Sequence, residues 1–297
     1  MSEESKITTN TNRINEVAAP VVNQVVEQPK TLNFAAVSKI LSEANGSGFY
    51  DIFIPSANET YSFKQLTVGQ QRSISKNSSD FKDKFTQTKL RLAILKELCL
   101  NTNIDFTKIT WPEFVYILAQ IRDNNFTDEL IFNVKCQEES CGAKFDYTVN
   151  FGELISNLEA IIKDAVSDNK IFEFKMGDHT VKFIMNYPTV ERYLDMMNFA
   201  AKLSDEEQDD ASTIFVYAYI KDIYIDDAKL DNNEFVSTQK LAEFIDTTFR
   251  FDFLKYVEFL NKEFERFVKV LDISVACPKC KTNIPFTLDL DDFFIRS

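Results

Sequence analysis

Cysteines are the residues of this 297-residue chain whose type and spacing could do chemistry. Four of the five form two short-spaced pairs, Cys136 with Cys141 and Cys277 with Cys280. Because each pair can present two thiolates from one turn, the two pairs supply the four ligands of a tetrahedral zinc site. Four thiolates leave no open position for water, so the metal would be structural rather than catalytic. The sequence therefore predicts one structural zinc ion per chain.

An internal repeat surrounds the two cysteine pairs. When Cys141 is aligned with Cys280, the following apolar residues fall in register: Phe145 with Ile284, Tyr147 with Phe286, Val149 with Leu288 and Phe151 with Leu290. When the first cysteines are aligned instead, Phe132 falls on Ile273 and Val134 on Val275. Both copies show the strand, turn, strand pattern with apolar side chains at alternate positions. Two distant β-hairpins facing each other would then complete a zinc-ribbon-like site.

Other interpretations of these four cysteines are an iron–sulfur centre, two disulfides or coincidental thiols. The chain starts MSEESKITTN and shows no signal peptide, which indicates a reducing compartment where disulfides are rare. Neither disulfides nor unrelated thiols would explain the internal repeat around the two cysteine pairs. Zinc is favoured over iron–sulfur because four thiolates complete its coordination.

The remaining reactive residues do not suggest catalysis. Cys99 follows Leu95 by four residues on an apolar helix face, so we expect a buried, inert thiol. His179 is the only histidine and stands beside a hairpin turn, which is typical of a surface residue. The glycine-containing segment Asn45–Gly48 lacks the lysine of a P-loop, and the acidic stretch Ser204–Asp210 is typical of a solvated loop. We therefore predict no enzyme and no small-molecule substrate.

Charge narrows the possible partners. The chain has 33 basic and 46 acidic residues and a formal net charge of −13. Such a field repels phosphate backbones and anionic lipid surfaces, and no apolar run reaches the length of a membrane span. We expect partners that are proteins, rather than nucleic acid or membranes.

The chain divides into an arm and two halves. Residues 1–32 contain no aromatic residue and predict a disordered arm. Residues 33–165 form the predicted N-terminal half with the first cysteine pair, and residues 166–297 form the C-terminal half with the second. The metal site would join these halves, which are otherwise distant in sequence.

Periodicity predicts an α+β fold in which helices pack with short antiparallel strands. Strands are predicted at Phe49–Pro55, Thr60–Leu66, from Leu130 into the first cysteine pair, and at Ile171–Met176, Thr180–Met185, Val268–Ala276 and Asn283–Leu290. Helices are predicted at Phe34–Ala44, Val68–Ser75, Phe81–Leu98, after Thr110, near Gly152–Ile162, and at Thr189–Lys202, Asp209–Ile223, Thr238–Thr248 and Arg250–Phe267.

Two of these helices carry detailed predictions. Thr110 and Glu113 have the spacing of a capping box, with Trp111 as an anchor at the helix start. The last helix carries an apolar stripe that we expect in the core, made of Phe253, Val257, Leu260, Phe264 and Phe267.

Ordered landmarks in the chain resemble a known family. They are the runs Gly48–Ile52, Phe63–Val68, Phe126–Cys136 and Val149–Phe151, followed by the second cysteine pair. In this order they are similar to the T4-like bacteriophage baseplate protein family, from about residue 46 to the end of the chain. The first pair departs from the usual pattern, since it has four intervening residues instead of two.

The resemblance implies a structural subunit or assembly factor of the baseplate hub of a contractile phage tail. Other hub and tail proteins would be its partners. It would reside in the tail baseplate of the virion, and in the host cytoplasm during assembly. The alternative is a zinc-ribbon protein that binds nucleic acid or assists transcription. The net charge opposes that alternative, and only Lys279 and Lys281 lie beside the second pair.

Overall fold

The computed structural model describes residues 48–72, 84–126, 129–203, 214–231, 237–290 and 292–294. These belong to one compact unit that starts at Gly48. The predicted arm and the predicted helix Phe34–Ala44 lie outside the described residues. The division of the chain after residue 165 stays a prediction.

Strands within the described ranges are short, and all pair antiparallel. They are β1 Phe49–Ile54, β2 Glu59–Lys64, β3 Ile131–Lys135, β4 Lys144–Thr148, β5 Lys170–Met176, β6 His179–Met185, β7 Ile220–Ile225, β8 Ala228–Lys229, β9 Asp272–Ala276 and β10 Asn283–Thr287. Three separate hairpins, β1–β2, β3–β4 and β9–β10, accompany a four-stranded sheet of order β5-β6-β7-β8.

Helices supply most of the core around these strands. They are α1 Lys84–Leu98, α2 Trp111–Asn125, α3 Phe151–Ser167, α4 Val190–Ala200, α5 Thr238–Thr248 and α6 Phe253–Leu271, and a short 3-10 helix at Asp292–Phe294 follows. Helix α2 is buried on most of its surface, which makes it the central helix. The predicted α+β class is confirmed.

An aromatic cluster fixes α6 against the four-stranded sheet. Edge-to-face and tilted ring contacts join the residues Phe172, Phe174, Phe183, Phe249, Phe251 and Tyr256. Such contacts stabilise ring pairs beyond the burial of their area. Since α6 runs directly into β9, the cluster also determines where the second cysteine hairpin begins.

The predicted helix Asp209–Ile223 is wrong in its C-terminal part. Residues 214–217 are helical, but Ile220–Ile225 forms β7, in which Ile223 pairs with Phe183. The sequence places Ile220 and Ile223 three residues apart, a spacing that fits a helix as well as a bulged strand, and pairing with β6 decides between them. Likewise α6 continues to Leu271, so Val268–Leu271 is helix rather than strand.

The stripe on α6 is shifted toward the helix C-terminus. Leu260, Phe264 and Phe267 are buried as predicted, whereas Phe253 is 36% exposed and Tyr256 is fully buried. Val257 is half-buried, and Phe253, in the first turn, contacts the rings of Tyr217 and Tyr256.

The capping box at α2 is only half formed. Thr110 occupies the N-cap position without a side-chain capping bond, while the Glu113 carboxylate accepts the N–H of Thr110. The same carboxylate accepts the N–H of Ser56 at 2.8 Å and its hydroxyl at 2.5 Å. Burial raises the pKa of Glu113, and these hydrogen bonds oppose the shift. The hydrogen bonds of Glu113 therefore connect the β1–β2 turn to the central helix α2.

Glu113→Ala should destabilise the fold because the buried carboxylate that joins the β1–β2 turn to α2 is removed and three donors lose their acceptor. The expected loss is about 1–3 kcal/mol in urea denaturation. Glu153→Ala is the matched control, since Glu153 is an exposed first-turn glutamate of α3, and it should change stability by less than about 0.5 kcal/mol. If both variants lower the free energy of unfolding by the same amount, the hydrogen bonds of Glu113 to Ser56 do not stabilise the fold as predicted.

Candidate metal centre

The structure brings the four predicted cysteines together. The sulphur atoms of Cys136, Cys141, Cys277 and Cys280 all lie within 4.8 Å of one another. Across the two hairpins, Cys136 Sγ is 3.5 Å from Cys280 Sγ, and Cys141 Sγ is 3.7 Å from Cys277 Sγ. A tetrahedral ion with metal–sulphur bonds of about 2.3 Å separates its sulphurs by about 3.8 Å. The site therefore has the size that one metal ion needs, and all four cysteines are free thiols.

The backbone of each turn is arranged around the sulphurs. In all four cases the sulphur accepts an N–H from the residue two positions further on, namely Glu138, Ala143, Lys279 and Thr282. These bonds stabilise the thiolate form that a metal binds. The shared pattern makes the two turns equivalent despite their different lengths.

Each turn closes in the same way. Cys136 N–H donates to Ala143 O at 2.8 Å, and Cys277 N–H donates to Thr282 O at 2.9 Å. The residue after the second cysteine is left-handed in both turns, with φ of 53° at Gly142 and 64° at Lys281. Glycine, in the first turn, adopts a left-handed conformation without strain. Lysine, in the second turn, does so only at a cost in backbone strain.

The four thiols fall into two groups: the pKa is raised for Cys136 and Cys141 and lowered for Cys277 and Cys280. The hydroxyl and N–H of Thr282 lower the pKa of Cys280 to about 6, and the N–H of Cys280 lowers that of Cys277. The N–H of Glu138 also lowers the pKa of Cys136, but burial and the neighbouring thiols outweigh it and raise the pKa to about 12. Four thiolates this close repel one another, so ionising all of them requires a cation.

Apolar layers beneath the sulphurs hold the hairpins face to face. Val134, Phe145 and Ile284 pack against Cys136 and Cys277. One layer deeper, the ring of Phe286 lies 5.3 Å from that of Phe132 and 5.6 Å from that of Tyr147. In β3–β4 Phe132 is opposite Tyr147, and in β9–β10 Ile273 is opposite Phe286, so the repeat holds in three dimensions.

Two packed helices bring these hairpins to the same place. Hairpin β3–β4 leads into α3, whose N-cap Asn150 accepts the N–H of Glu153 at 3.2 Å. Hairpin β9–β10 follows directly from α6. The two helices pack against each other, and Arg266 on α6 forms an ion pair with Asp164 on α3.

The other predicted residues lie apart from this centre. Cys99 is 9% exposed, and burial raises its pKa, which confirms a buried thiol. His179 is exposed, with Nδ1 2.8 Å from the Asp226 carboxylate. Trp111 stacks on Tyr193 with ring centroids 3.6 Å apart. The acidic stretch Ser204–Asp210 lies outside the described residues.

The N–H donors and the left-handed positions were not identified from the sequence. Gly142 directly after Cys141 was a usable signal, because glycine is favoured where φ is positive. Lys281 and Thr282 gave no comparable signal, since neither residue type marks a turn around sulphur.

The fold and the site define an α+β protein with a ribbon-like four-cysteine centre made by two distant hairpins. Residues 49–295 match the family described as T4 bacteriophage base plate protein, so the chain belongs to that family. No curated protein and no solved structure shows a significant match. The family places the protein in the tail of a phage particle, among other tail proteins. Among the described residues, no helix is long and apolar enough to cross a bilayer.

Cys280→Ser should destabilise the protein by about 4 kcal/mol or more. Because the Cys280 side chain is exposed, the main effect of this substitution is the loss of one proposed metal ligand. A chelator should lower the melting temperature of the parent and leave that of Cys280→Ser nearly unchanged. Cys99→Ser is the control and should keep the response to chelator. If Cys280→Ser retains full stability, the metal centre is ruled out.

Substitutions at the two left-handed positions should have opposite signs. Gly142→Ala should cost about 1 kcal/mol through backbone strain alone, since no atom lies within 4 Å of the added Cβ. Lys281→Gly should be neutral or stabilising by up to about 1 kcal/mol, because it relieves the same strain. Chemical denaturation of the metal-loaded protein measures both. A loss at Lys281→Gly as large as that at Gly142→Ala would contradict the equivalence of the two turns.

Proposed function

We propose that this protein is a structural subunit or assembly factor of the baseplate hub of a contractile phage tail. It acts by binding other hub and tail proteins and catalyses no reaction. The family match over residues 49–295 is the observation that carries the proposal. The hub assignment within the baseplate is supported by the landmarks from Gly48 to the second cysteine pair.

A single structural zinc ion is part of the proposal, with Cys136, Cys141, Cys277 and Cys280 as ligands. The all-sulphur donor set favours zinc or iron over magnesium and calcium. The spacing of the sulphurs fits one ion, and four thiolates complete the tetrahedral shell of zinc. No ligand position would then remain for a reacting water.

A role without catalysis is supported by where the reactive side chains lie. His179 is exposed and bonded to the exposed Asp226, so it lies in no enclosed cleft. Cys99 is buried, and burial raises its pKa, which opposes the thiolate that a nucleophile needs.

One observation favours the alternative of nucleic-acid binding. Lys135 is directly opposite Lys144 beside the first cysteine turn, and Lys279 and Lys281 flank Cys280. Exposed lysines around a ribbon tip could contact phosphates. Exposed Glu138 and Glu139 lie in the same tip, however, and the net charge is −13.

Mass spectrometry of purified particles and tail intermediates tests the main proposal. We expect the protein at a fixed low copy number in tails, or in intermediates alone if it is an assembly factor. Phage carrying Cys280→Ser should show reduced incorporation, whereas Cys99→Ser should incorporate normally. Absence of the protein from both particles and intermediates would contradict the proposal.

Fluorescence anisotropy with labelled DNA and RNA at low salt tests the alternative. We expect no binding by the zinc-loaded protein. Salt-sensitive binding that Lys135→Gln and Lys144→Gln weaken would favour the nucleic-acid function instead.

A further inference from the structure

The four proposed metal ligands differ in how easily water can reach them. Cys136 and Cys277 are buried, Cys141 is half-buried and Cys280 is exposed. A competing ligand, such as water or a chelator, reaches a bound metal most directly beside an exposed donor. We therefore expect the bond to Cys280 to be the first that breaks when the metal leaves.

Backbone hydrogen bonds of the second turn place Thr282 beside this exposed sulphur. Lys281 N–H donates to Cys277 O at 2.9 Å, and Cys277 N–H donates to Thr282 O at 2.9 Å. Together with the left-handed backbone at Lys281, these bonds return the chain towards the first cysteine of the pair. In this position Thr282 N–H donates to Cys280 Sγ.

The hydroxyl of Thr282 makes a second contact with the same sulphur. Its Oγ1 lies 3.4 Å from Cys280 Sγ. A metal-bound thiolate carries no proton, so the hydroxyl must be the donor in the loaded protein. The exposed sulphur would then receive two hydrogen bonds from one residue, an N–H···S bond and an O–H···S bond.

The first turn has the same backbone arrangement without the hydroxyl. Ala143 N–H donates to Cys141 Sγ, and Ala143 O accepts the N–H of Cys136 at 2.8 Å. Ala143 therefore corresponds to Thr282, but its methyl group cannot donate a hydrogen bond. The additional donor thus lies at the more exposed of the two sulphurs, where burial gives the metal less protection.

We propose that Thr282 is a positioning residue of the metal centre, whose hydroxyl holds the Cys280 thiolate on the ion and slows loss of the metal. A competing ligand can displace this sulphur only if the sulphur moves away from the ion, and that movement also breaks the O–H···S bond. Hydrogen-bonded partners of ligand atoms fix the orientation of the ligands and strengthen metal binding. The inference rests on the proposed zinc centre and adds a residue that retains the ion without touching it.

Zinc transfer from the full chain to an excess of a chromogenic chelator tests the proposal. We expect Thr282→Val, which keeps the shape of the side chain and lacks the hydroxyl, to release zinc roughly ten-fold faster than the parent. Thr282→Ser restores the donor and should release zinc at nearly the parental rate. Thr287→Val is the matched control in the same hairpin and should also keep the parental rate, because the Thr287 hydroxyl donates to the Asp272 carboxylate at 2.5 Å.

Cobalt substitution reports on the hydrogen bond itself rather than on the stability of the hairpin. A hydrogen bond lowers the energy of the sulphur lone pairs and so tunes the metal–sulphur bond. Its loss in Thr282→Val should move the sulphur-to-cobalt charge-transfer absorption to longer wavelength. Thr282→Ser and Thr287→Val should keep the absorption of the parent.

The outcomes separate the role of Thr282 from the metal centre. If Thr282→Val binds zinc, releases it at the parental rate and keeps the parental cobalt absorption, the role of Thr282 is wrong and the metal centre stands. Release from Thr282→Ser or Thr287→Val as fast as that from Thr282→Val would also overturn this role, since the hydroxyl bond to sulphur would not be the cause. If the parent binds neither zinc nor cobalt, the metal centre and this inference fail together.

Discussion

Coordination by four sulphurs would join two hairpins whose cysteines lie up to 144 positions apart in the sequence. A hairpin of five-residue strands is marginal by itself in water, so neither half of the site is expected to persist alone. A bound metal contributes its binding free energy to folding only when both halves meet. The centre therefore makes the structure of residues near Cys136 depend on residues near Cys277.

Packing of helices and aromatic rings also joins the two hairpins. Helices α3 and α6 contact each other and lead out of and into the two hairpins, so they bring the cysteines close before any ion binds. Phe286 then fills the space between Phe132 and Tyr147. The aromatic content of the chain, with 28 phenylalanines, explains how short strands still bury enough area to hold α6 in position.

The sequence predicted the centre better than the elements around it. Cysteine spacing and the repeat that matches Tyr147 with Phe286 were sufficient, because strand periodicity and metal-ligand geometry are both local patterns. The strand at Ile220–Ile225 was missed because its apolar spacing fits a helix as well, and only pairing with β6 distinguishes them. The ties of Glu113 to Ser56 and of Asp195 to Thr238 join distant segments, which no local pattern encodes.

An acidic protein whose two distant hairpins meet at a four-cysteine centre is suited to holding other subunits in a baseplate. X-ray absorption at the zinc edge, on the purified full-length chain, tests the central claim most directly. We expect one zinc ion per chain with four sulphur neighbours at about 2.3 Å and no lighter ligand. A shell containing nitrogen or oxygen, fewer than four sulphurs, or a protein that retains no metal would contradict it.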